Sequence, residues 1–123
     1  MRVQNQVSID HFVPWSYIAH DQIWNLLPTT KSVNSTKGNN LPNFEKYFDP
    51  FINLQFDAYQ TIYKSEIKGK KQLLEDYANF FNSDLINIFE LSKIQFYQKF
   101  EIVMKPMFQI AENMGFNSNW IYK

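Results

Sequence analysis

The sequence contains no cysteine, and this absence removes two classes of support that small domains often use. Without thiols the chain can form neither disulfide bonds nor cysteine-bound zinc knuckles. It also lacks any stretch approaching the roughly 20 apolar residues that span a bilayer, and no secretory signal pattern follows Met1. We therefore expect a soluble, cytoplasmic protein that is stabilised by side-chain packing.

The sequence also lacks an excess of either charge, because twelve Lys and Arg residues balance twelve Asp and Glu residues. Proteins that follow long stretches of DNA backbone are usually basic, since neutralising phosphates drives their affinity. Zero net charge therefore argues against extensive non-specific DNA binding. It leaves local phosphate chemistry open, because a bound cation can supply the positive charge.

The apolar content that is present indicates a folded domain. Hydrophobic residues make up 45% of the 123 residues and aromatic residues 18%, which is too apolar for a disordered chain. We predict one α+β domain over residues 1–123. A short two-stranded ββα unit occupies residues 1–42, and a supporting bundle of three to four helices occupies residues 43–123.

The pattern of the first unit predicts the order strand, loop, strand, helix. Apolar and polar residues alternate over residues 7–9, which predicts a short strand running into residues 10 and 11. Residues 23–27 predict a second strand that is closed by Pro28, because proline cannot donate to a ladder. A cap at Thr30 or Ser32 would begin a short helix over residues 33–37.

The rest of the sequence predicts helices. Asp49 and Pro50 resemble a cap followed by proline at the first helical position, and a second apolar repeat covers residues 73–81. Ser92 opens the longest helix with a capping box.

Features of the long helix and of the tail complete the helical prediction. Pro106 lies inside the long helix, so we expect a kink there or a restart one turn later. Gly115 is a natural end for this helix. The apolar residues 120–122 should then dock back on the domain.

Polar residues of the first unit fit the needs of phosphodiester hydrolysis. Histidine suits the general base, because its ordinary pKa lies near neutral pH, and His11 is placed for this role. The side-chain oxygens of Asp10 and Asn34 suit a hard divalent cation. Lys37 lies one helical turn beyond Asn34 and could meet a phosphate.

The adjacency of Asp10 and His11 raises a geometric question. Consecutive side chains on a regular strand point to opposite faces, so these two should diverge. Both can serve one reaction if they flank the scissile phosphate, or if the strand is distorted before Pro14.

The motif Asp10-His11, followed by Asn25 and then Asn34, resembles the HNH endonucleases with their ββα-metal unit, also called the His-Me finger. It is most similar to members with asparagine in the third motif position, including the HNH domain of the CRISPR effector nuclease. The resemblance implies that His11 is the general base, that Asp10 and Asn34 bind the metal, and that Asn25 braces the loop holding His11. Lys37 is an implied phosphate contact.

The resemblance also guides the choice of cofactor, substrate and partners. Asparagine in place of the usual third-position histidine favours Mg²⁺, with Mn²⁺ as the second choice. We expect a DNA substrate; the alternatives are a non-catalytic nucleic-acid-binding or assembly module that keeps the ββα fold, or an RNA-directed toxin nuclease. Because the motif lies within a few residues of the start of the sequence, we expect either a small autonomous nuclease or the C-terminal part of a longer protein, in which a recognition domain or partner subunit selects the target. A homodimer would let one site per chain cut both strands.

Overall fold

The computed structural model describes residues 7–14, 22–30, 33, 37–84, 88 and 91–122. A two-stranded antiparallel sheet is followed by three α-helices, so the predicted α+β architecture is confirmed. In chain order the elements are β1 (Val7–His11), a 3₁₀ turn (Ile23–Asn25), β2 (Leu26–Thr30), α1 (Phe44–Lys64), α2 (Lys70–Phe80) and α3 (Lys93–Asn113).

The second strand differs from its prediction, because it begins at Leu26 and continues through Pro28. Proline is tolerated there because of the register. The Phe12 amide donates to the Asn25 carbonyl at 2.9 Å, and hydrogen-bonded pairs alternate with non-bonded pairs along an antiparallel ladder. Pro28, opposite Ile9, therefore occupies a non-bonded position where no ladder donor is needed.

The helical part of the ββα unit is described at two positions. Val33 and Lys37 both have helical backbone, which agrees with the predicted helix over residues 33–37. Gly38 follows with a positive φ of 52°, a conformation that suits the residue after a helix. The chain then leads through Leu41, which is fully buried, into α1.

Helix α1 begins earlier than the sequence predicted. Asn43 is its cap, and its side-chain oxygen accepts from the Lys46 amide at 2.8 Å. Pro50 therefore lies inside the helix, where it removes only the bond to the Lys46 carbonyl. Both residues are exposed, so water can satisfy that carbonyl, and the predicted start at Asp49 is wrong.

Helix α3 follows its prediction more closely. Ser92 and Gln95 form the capping box, with both reciprocal bonds present. The helix continues unbroken through Pro106, so the alternative of a restart is wrong. Gly115, with φ of 100°, follows the last turn as expected.

Aromatic rings fill the space between the helices. The Phe96 ring lies within 6 Å of the Tyr59, Tyr77 and Phe81 rings, at centroid distances of 5.1, 5.8 and 5.7 Å. The hairpin joins this core through Trp24, which stacks on Phe80 at 4.0 Å. In the described part of the chain, no helix combines the length and apolarity that a membrane crossing requires.

The C-terminal tail docks on the start of α1, as predicted. Trp120 forms a parallel bridge with Pro42; its amide donates to the Leu41 carbonyl at 3.0 Å, and its carbonyl accepts from Asn43 at 2.8 Å. The Tyr122 amide donates to the Tyr47 hydroxyl at 2.9 Å. The tail therefore fixes the segment that connects the ββα unit to α1.

Candidate functional site

Asp10 is a buried carboxylate on the inner face of β1. Only 6% of it is exposed, whereas the preceding Ile9 is 58% exposed, as the alternation of a strand requires. Its Oδ1 accepts a hydrogen bond from the peptide N–H of His11 at 2.7 Å. The ammonium of Lys37 lies 3.9 Å from the same oxygen, so a positive charge already stands beside this carboxylate.

Lys37 is buried to an unusual degree for a lysine, with 3% of the residue exposed. Its Nζ donates to the main-chain carbonyl of His11 at 2.6 Å. Burial lowers the pKa of Lys37, and the negative charge of Asp10 offsets this only in part. Lys37 therefore ties the helical segment of the ββα unit to the end of β1.

The pKa of the Asp10 carboxyl is raised, and its burial is the main cause. The charge of Lys37 and the His11 amide act in the opposite direction without cancelling the effect. Desolvation thus outweighs attraction on both sides of the pair. A buried pair of this kind is weak evidence for stability and points instead to positioning or chemistry.

His11 is the last residue of β1 and is half-buried. It pairs with Leu26 in an unbroken register, so the strand is regular through His11. Because Asp10 faces inward, the regular strand directs the His11 side chain to the opposite face. The chain bends only after His11, at residues 12 and 13 before Pro14. That Asp10 and His11 flank a phosphate stays a prediction.

Asn25 holds the loop that follows His11. It is fully buried, its amide nitrogen donates to the Val13 carbonyl at 2.8 Å, and its oxygen accepts from the Val13 amide at 2.8 Å. The adjacent Phe12 amide donates to the Asn25 carbonyl. The chain after His11 is therefore fixed at two successive residues.

Gln55 of α1 supports the site from behind, and sequence reasoning missed it. Its amide nitrogen donates to the carbonyls of Ile23 and Leu26 at 3.0 and 2.7 Å, and its oxygen accepts from the Tyr77 hydroxyl at 2.6 Å. The available signal was a lone polar residue on the apolar face of a helix, where a buried amide must find partners.

The third motif residue, Asn34, lies outside the described residues. Within the described part of the chain, no group of three or more His, Asp or Glu side chains could by itself hold a metal ion. The carboxylate oxygens of Asp10 are of the type that a hard cation prefers, but the ammonium of Lys37 already lies beside one of them.

A groove of about 350 Å³ opens beside Asp10 and Lys37. Its walls come from the hairpin, from α1 and from the C-terminal tail, and His11 is not part of them. The lining residues are Asp10, Phe12, Leu27, Thr29, Val33, Lys37, Pro42, Tyr47, Pro50, Phe51, Leu54, Trp120 and Tyr122. The groove is mainly apolar and aromatic, with the Asp10–Lys37 pair as its charged part.

Residues 1–43 match the protein-family model described as HNH endonuclease. The match covers the strand that carries Asp10 and His11, together with Asn25 and Lys37, so this part of the chain is similar to the HNH endonucleases. It also supports a nuclease-type function in general. Neither the curated proteins nor the solved structures contain a significant match to this chain.

Proposed function

We propose that this chain is a metal-dependent endonuclease that hydrolyses phosphodiester bonds in DNA. One observation carries the proposal: the region matching the HNH endonuclease family contains a strand end whose chemistry-bearing residues are fixed by buried polar contacts. Lys37 holds the His11 carbonyl, and Asn25 holds the loop beyond it. Such preorganisation is what a reaction needs from the residues that position a nucleophile.

In the proposed mechanism His11 is the general base. Its imidazole takes a proton from a water molecule, which attacks the phosphorus in line with the leaving 3′ oxygen. Histidine is suited to this step because it changes charge near neutral pH. The expected products carry a 5′-phosphate and a 3′-hydroxyl.

Asp10 and Asn34 would hold the divalent cation, with Mg²⁺ favoured and Mn²⁺ as the alternative. When bound, the cation supplies positive charge that stabilises the phosphate oxygens during hydrolysis. Two protein ligands suffice, because Mg²⁺ usually keeps several waters and takes further oxygens from the substrate. The Asp10 carboxylate and its position fit this cation, and Asn34 is proposed from the sequence.

Lys37 and Asn25 complete the proposed site. We propose Lys37 as the phosphate contact, although the side chain is buried in this structure. The ammonium must leave the His11 carbonyl and Asp10 before it can meet a phosphate. Asn25 acts as a positioning residue, since it contacts the main chain of Val13 and not the side chain of His11.

The test is cleavage of supercoiled plasmid DNA with Mg²⁺ or Mn²⁺ by the wild type and by His11→Ala. Removing a general base should lower the rate by about 100-fold or more. Equal cleavage by both proteins would reject the assignment. Unfolding curves of both proteins must coincide, so that loss of activity is not loss of fold.

Calorimetry then tests the metal ligand separately. Titration of Mn²⁺ into Asp10→Asn should show at least tenfold weaker binding than the wild type. Asp57→Asn is the matched control, because Asp57 is an exposed aspartate of α1. If Asp10→Asn binds Mn²⁺ as tightly as the control, the ligand role of Asp10 is wrong.

One observation favours a second function, a non-catalytic nucleic-acid-binding or assembly module. The Lys37 ammonium already neutralises part of the Asp10 charge, which is the place where the cation would bind. Absence of both Mn²⁺ binding and cleavage would select this alternative. Parallel digestion of DNA and RNA would decide between a DNA endonuclease and an RNA-directed toxin nuclease.

A further inference from the structure

Lys37 brings a positive charge of the chain's own to the carboxylate of Asp10. Its ammonium lies 3.9 Å from Oδ1, and both residues are more than nine-tenths buried. The same ammonium donates to the His11 carbonyl at 2.6 Å. A lysine is almost never buried to this extent unless its charge is paired, so the pair accounts for the burial of both side chains.

The other oxygen of Asp10 remains open to a ligand. Oδ1 takes the hydrogen bond from the His11 amide, whereas Oδ2 accepts from none of the described residues. Every buried side-chain nitrogen and oxygen in that part of the chain has a hydrogen-bond partner, so Oδ2 is not sealed in and faces the groove that Asp10 lines. An accessible carboxylate oxygen of this kind fits Mg²⁺ or Mn²⁺.

The Lys37 ammonium opposes the binding of a divalent cation at Asp10. Ligand oxygens lie about 2.1 Å from Mg²⁺, so an ion on either oxygen of this carboxylate would stand within a few ångströms of the ammonium. Like charges at such a distance repel strongly where water is largely excluded. The ammonium and a divalent cation therefore compete for Asp10.

The groove gives the Lys37 side chain a way out. Lys37 lines it together with Asp10, and its volume of about 350 Å³ far exceeds the roughly 30 Å³ that a water-sized group occupies. The main chain of Lys37 can stay in place, where its carbonyl accepts from the Asn40 amide at 2.9 Å. A flexible four-carbon stem suffices to turn the ammonium into the groove.

We propose that Lys37 is an internal counter-ion, which neutralises Asp10 in the absence of metal and turns into the groove when Mg²⁺ or Mn²⁺ binds. In the groove the ammonium is free to contact a phosphate, so burial in one state and phosphate contact in the other belong to one exchange. This inference rests on the proposed function, because it takes Asp10 as a metal ligand.

Calorimetric titration with Mn²⁺ tests the competition. Lys37→Met removes the competing charge and should bind Mn²⁺ at least about tenfold more tightly than the wild type. Adding Asp10→Asn to this variant should abolish the gain. Lys68→Met is the matched control, since Lys68 is exposed and its loss changes the net charge equally. Equal or weaker binding by Lys37→Met than by the wild type would overturn the proposal.

Thermal unfolding keeps the test decisive if Lys37→Met folds poorly without metal. A ligand that binds the folded state more tightly stabilises it more at a given concentration. Mn²⁺ should therefore raise the unfolding temperature of Lys37→Met by more than that of the wild type. An equal or smaller rise would contradict the competition.

Amine labelling follows the displacement in the unaltered protein. In reductive methylation, read by mass spectrometry, Lys37 should react about tenfold more slowly than Lys68 without divalent cations, because a buried amine must first be exposed. Mg²⁺ should raise the rate at Lys37 by about fivefold or more and leave the rate at Lys68 unchanged. An unchanged rate at Lys37 in the presence of saturating Mg²⁺ would overturn the displacement.

The exchange and the nuclease activity fail in different ways. If the wild type binds Mn²⁺ and cleaves DNA, but Lys37→Met binds no more tightly, the exchange is wrong and the nuclease assignment stands. If Lys37→Met binds Mn²⁺ more tightly and the wild type cleaves no DNA, the exchange stands and the nuclease assignment is wrong.

Discussion

The two parts of this molecule are built from different interiors. In residues 7–42 the described interior includes a carboxylate, an ammonium and a side-chain amide, from Asp10, Lys37 and Asn25. In the helices it consists almost wholly of apolar side chains, most of them aromatic. Polar interiors contribute little net stability but fix geometry when every group has a partner. The difference indicates that the first part is organised for a site and the second for stability.

Two kinds of contact, one polar and one apolar, join the hairpin to the helices. Gln55 reaches from α1 to the carbonyls of Ile23 and Leu26, and Trp24 stacks on Phe80 of α2. Among the described residues, no buried side-chain nitrogen or oxygen lacks a hydrogen-bond partner. These contacts join the helices to the hairpin, and the supporting role of the helices stays a prediction.

The largest expected effect lies in the aromatic core. Phe100 is fully buried, and its ring lies 4.9 to 5.9 Å from those of Phe80, Phe96, Phe81 and Phe51. Phe100→Ala should lower the free energy of unfolding by about 4 kcal/mol. Urea denaturation measures the loss, with the exposed Gln98→Ala as the control. A loss below about 1 kcal/mol would mean that the rings do not carry the stability.

The Asp10–Lys37 pair should respond differently from an apolar contact. Lys37→Met leaves a buried carboxylate without its cation and should cost about 3 kcal/mol. Adding Asp10→Asn removes that charge as well, so the double variant should be more stable than Lys37→Met alone. Urea denaturation of the single and double variants gives the coupling. Strictly additive losses would show that the two charges do not interact.

Asn25→Ala should combine a moderate loss of stability with a larger loss of function. It leaves the buried amide and carbonyl of Val13 without partners, at a cost of about 2 kcal/mol. The loop after His11 loses its brace, so DNA cleavage per folded molecule should fall by about tenfold or more. An unchanged rate of cleavage per folded molecule would show that Asn25 does not position the loop after His11 for catalysis.

The smallest effect concerns acid conditions in the absence of divalent cations. Because the folded-state pKa of Asp10 lies above its ordinary value of 3.8, folding takes up a proton between these two values. The contribution of Asp10 to the free energy of unfolding therefore falls as pH rises through this window. Wild type should become less stable relative to Asp10→Asn as pH increases above 3.8. The opposite trend would mean that Lys37 outweighs burial.

Periodicity and capping patterns predicted the order of elements well. The strand leading to Asp10 and His11 and the capping box at Ser92 depend on neighbours in the sequence, and both are confirmed. The errors at Pro28 and Pro50 have a common cause. In both places the missing N–H costs little, because Pro28 occupies a non-bonded position of the ladder and water reaches the carbonyl that Pro50 leaves unpaired. The sequence alone shows neither condition.

The residues of the site differ in whether the sequence indicated their contacts. The resemblance pointed to Asn25 through its motif spacing. Gln55 was missed although it is a lone polar residue on an apolar helix face, because the sequence does not show that its partners lie in the 3₁₀ turn and in β2. The burial of Lys37 was equally hidden, because its contacts with Asp10 and His11 depend on how the segment packs against the hairpin. Contacts between distant segments are thus what the sequence left undetermined. The role of each residue in catalysis stays a prediction.

The most direct test compares plasmid cleavage per folded molecule for His11→Ala and Phe100→Leu, side by side with the wild type and Mg²⁺. His11→Ala should unfold at the wild-type urea concentration and cleave about 100-fold more slowly or worse. Phe100→Leu should lose about 1–2 kcal/mol of stability and cleave at the wild-type rate per folded molecule. Wild-type cleavage by His11→Ala, or a comparable loss of rate in both variants, would contradict the division between a site-forming hairpin and a stabilising helical core.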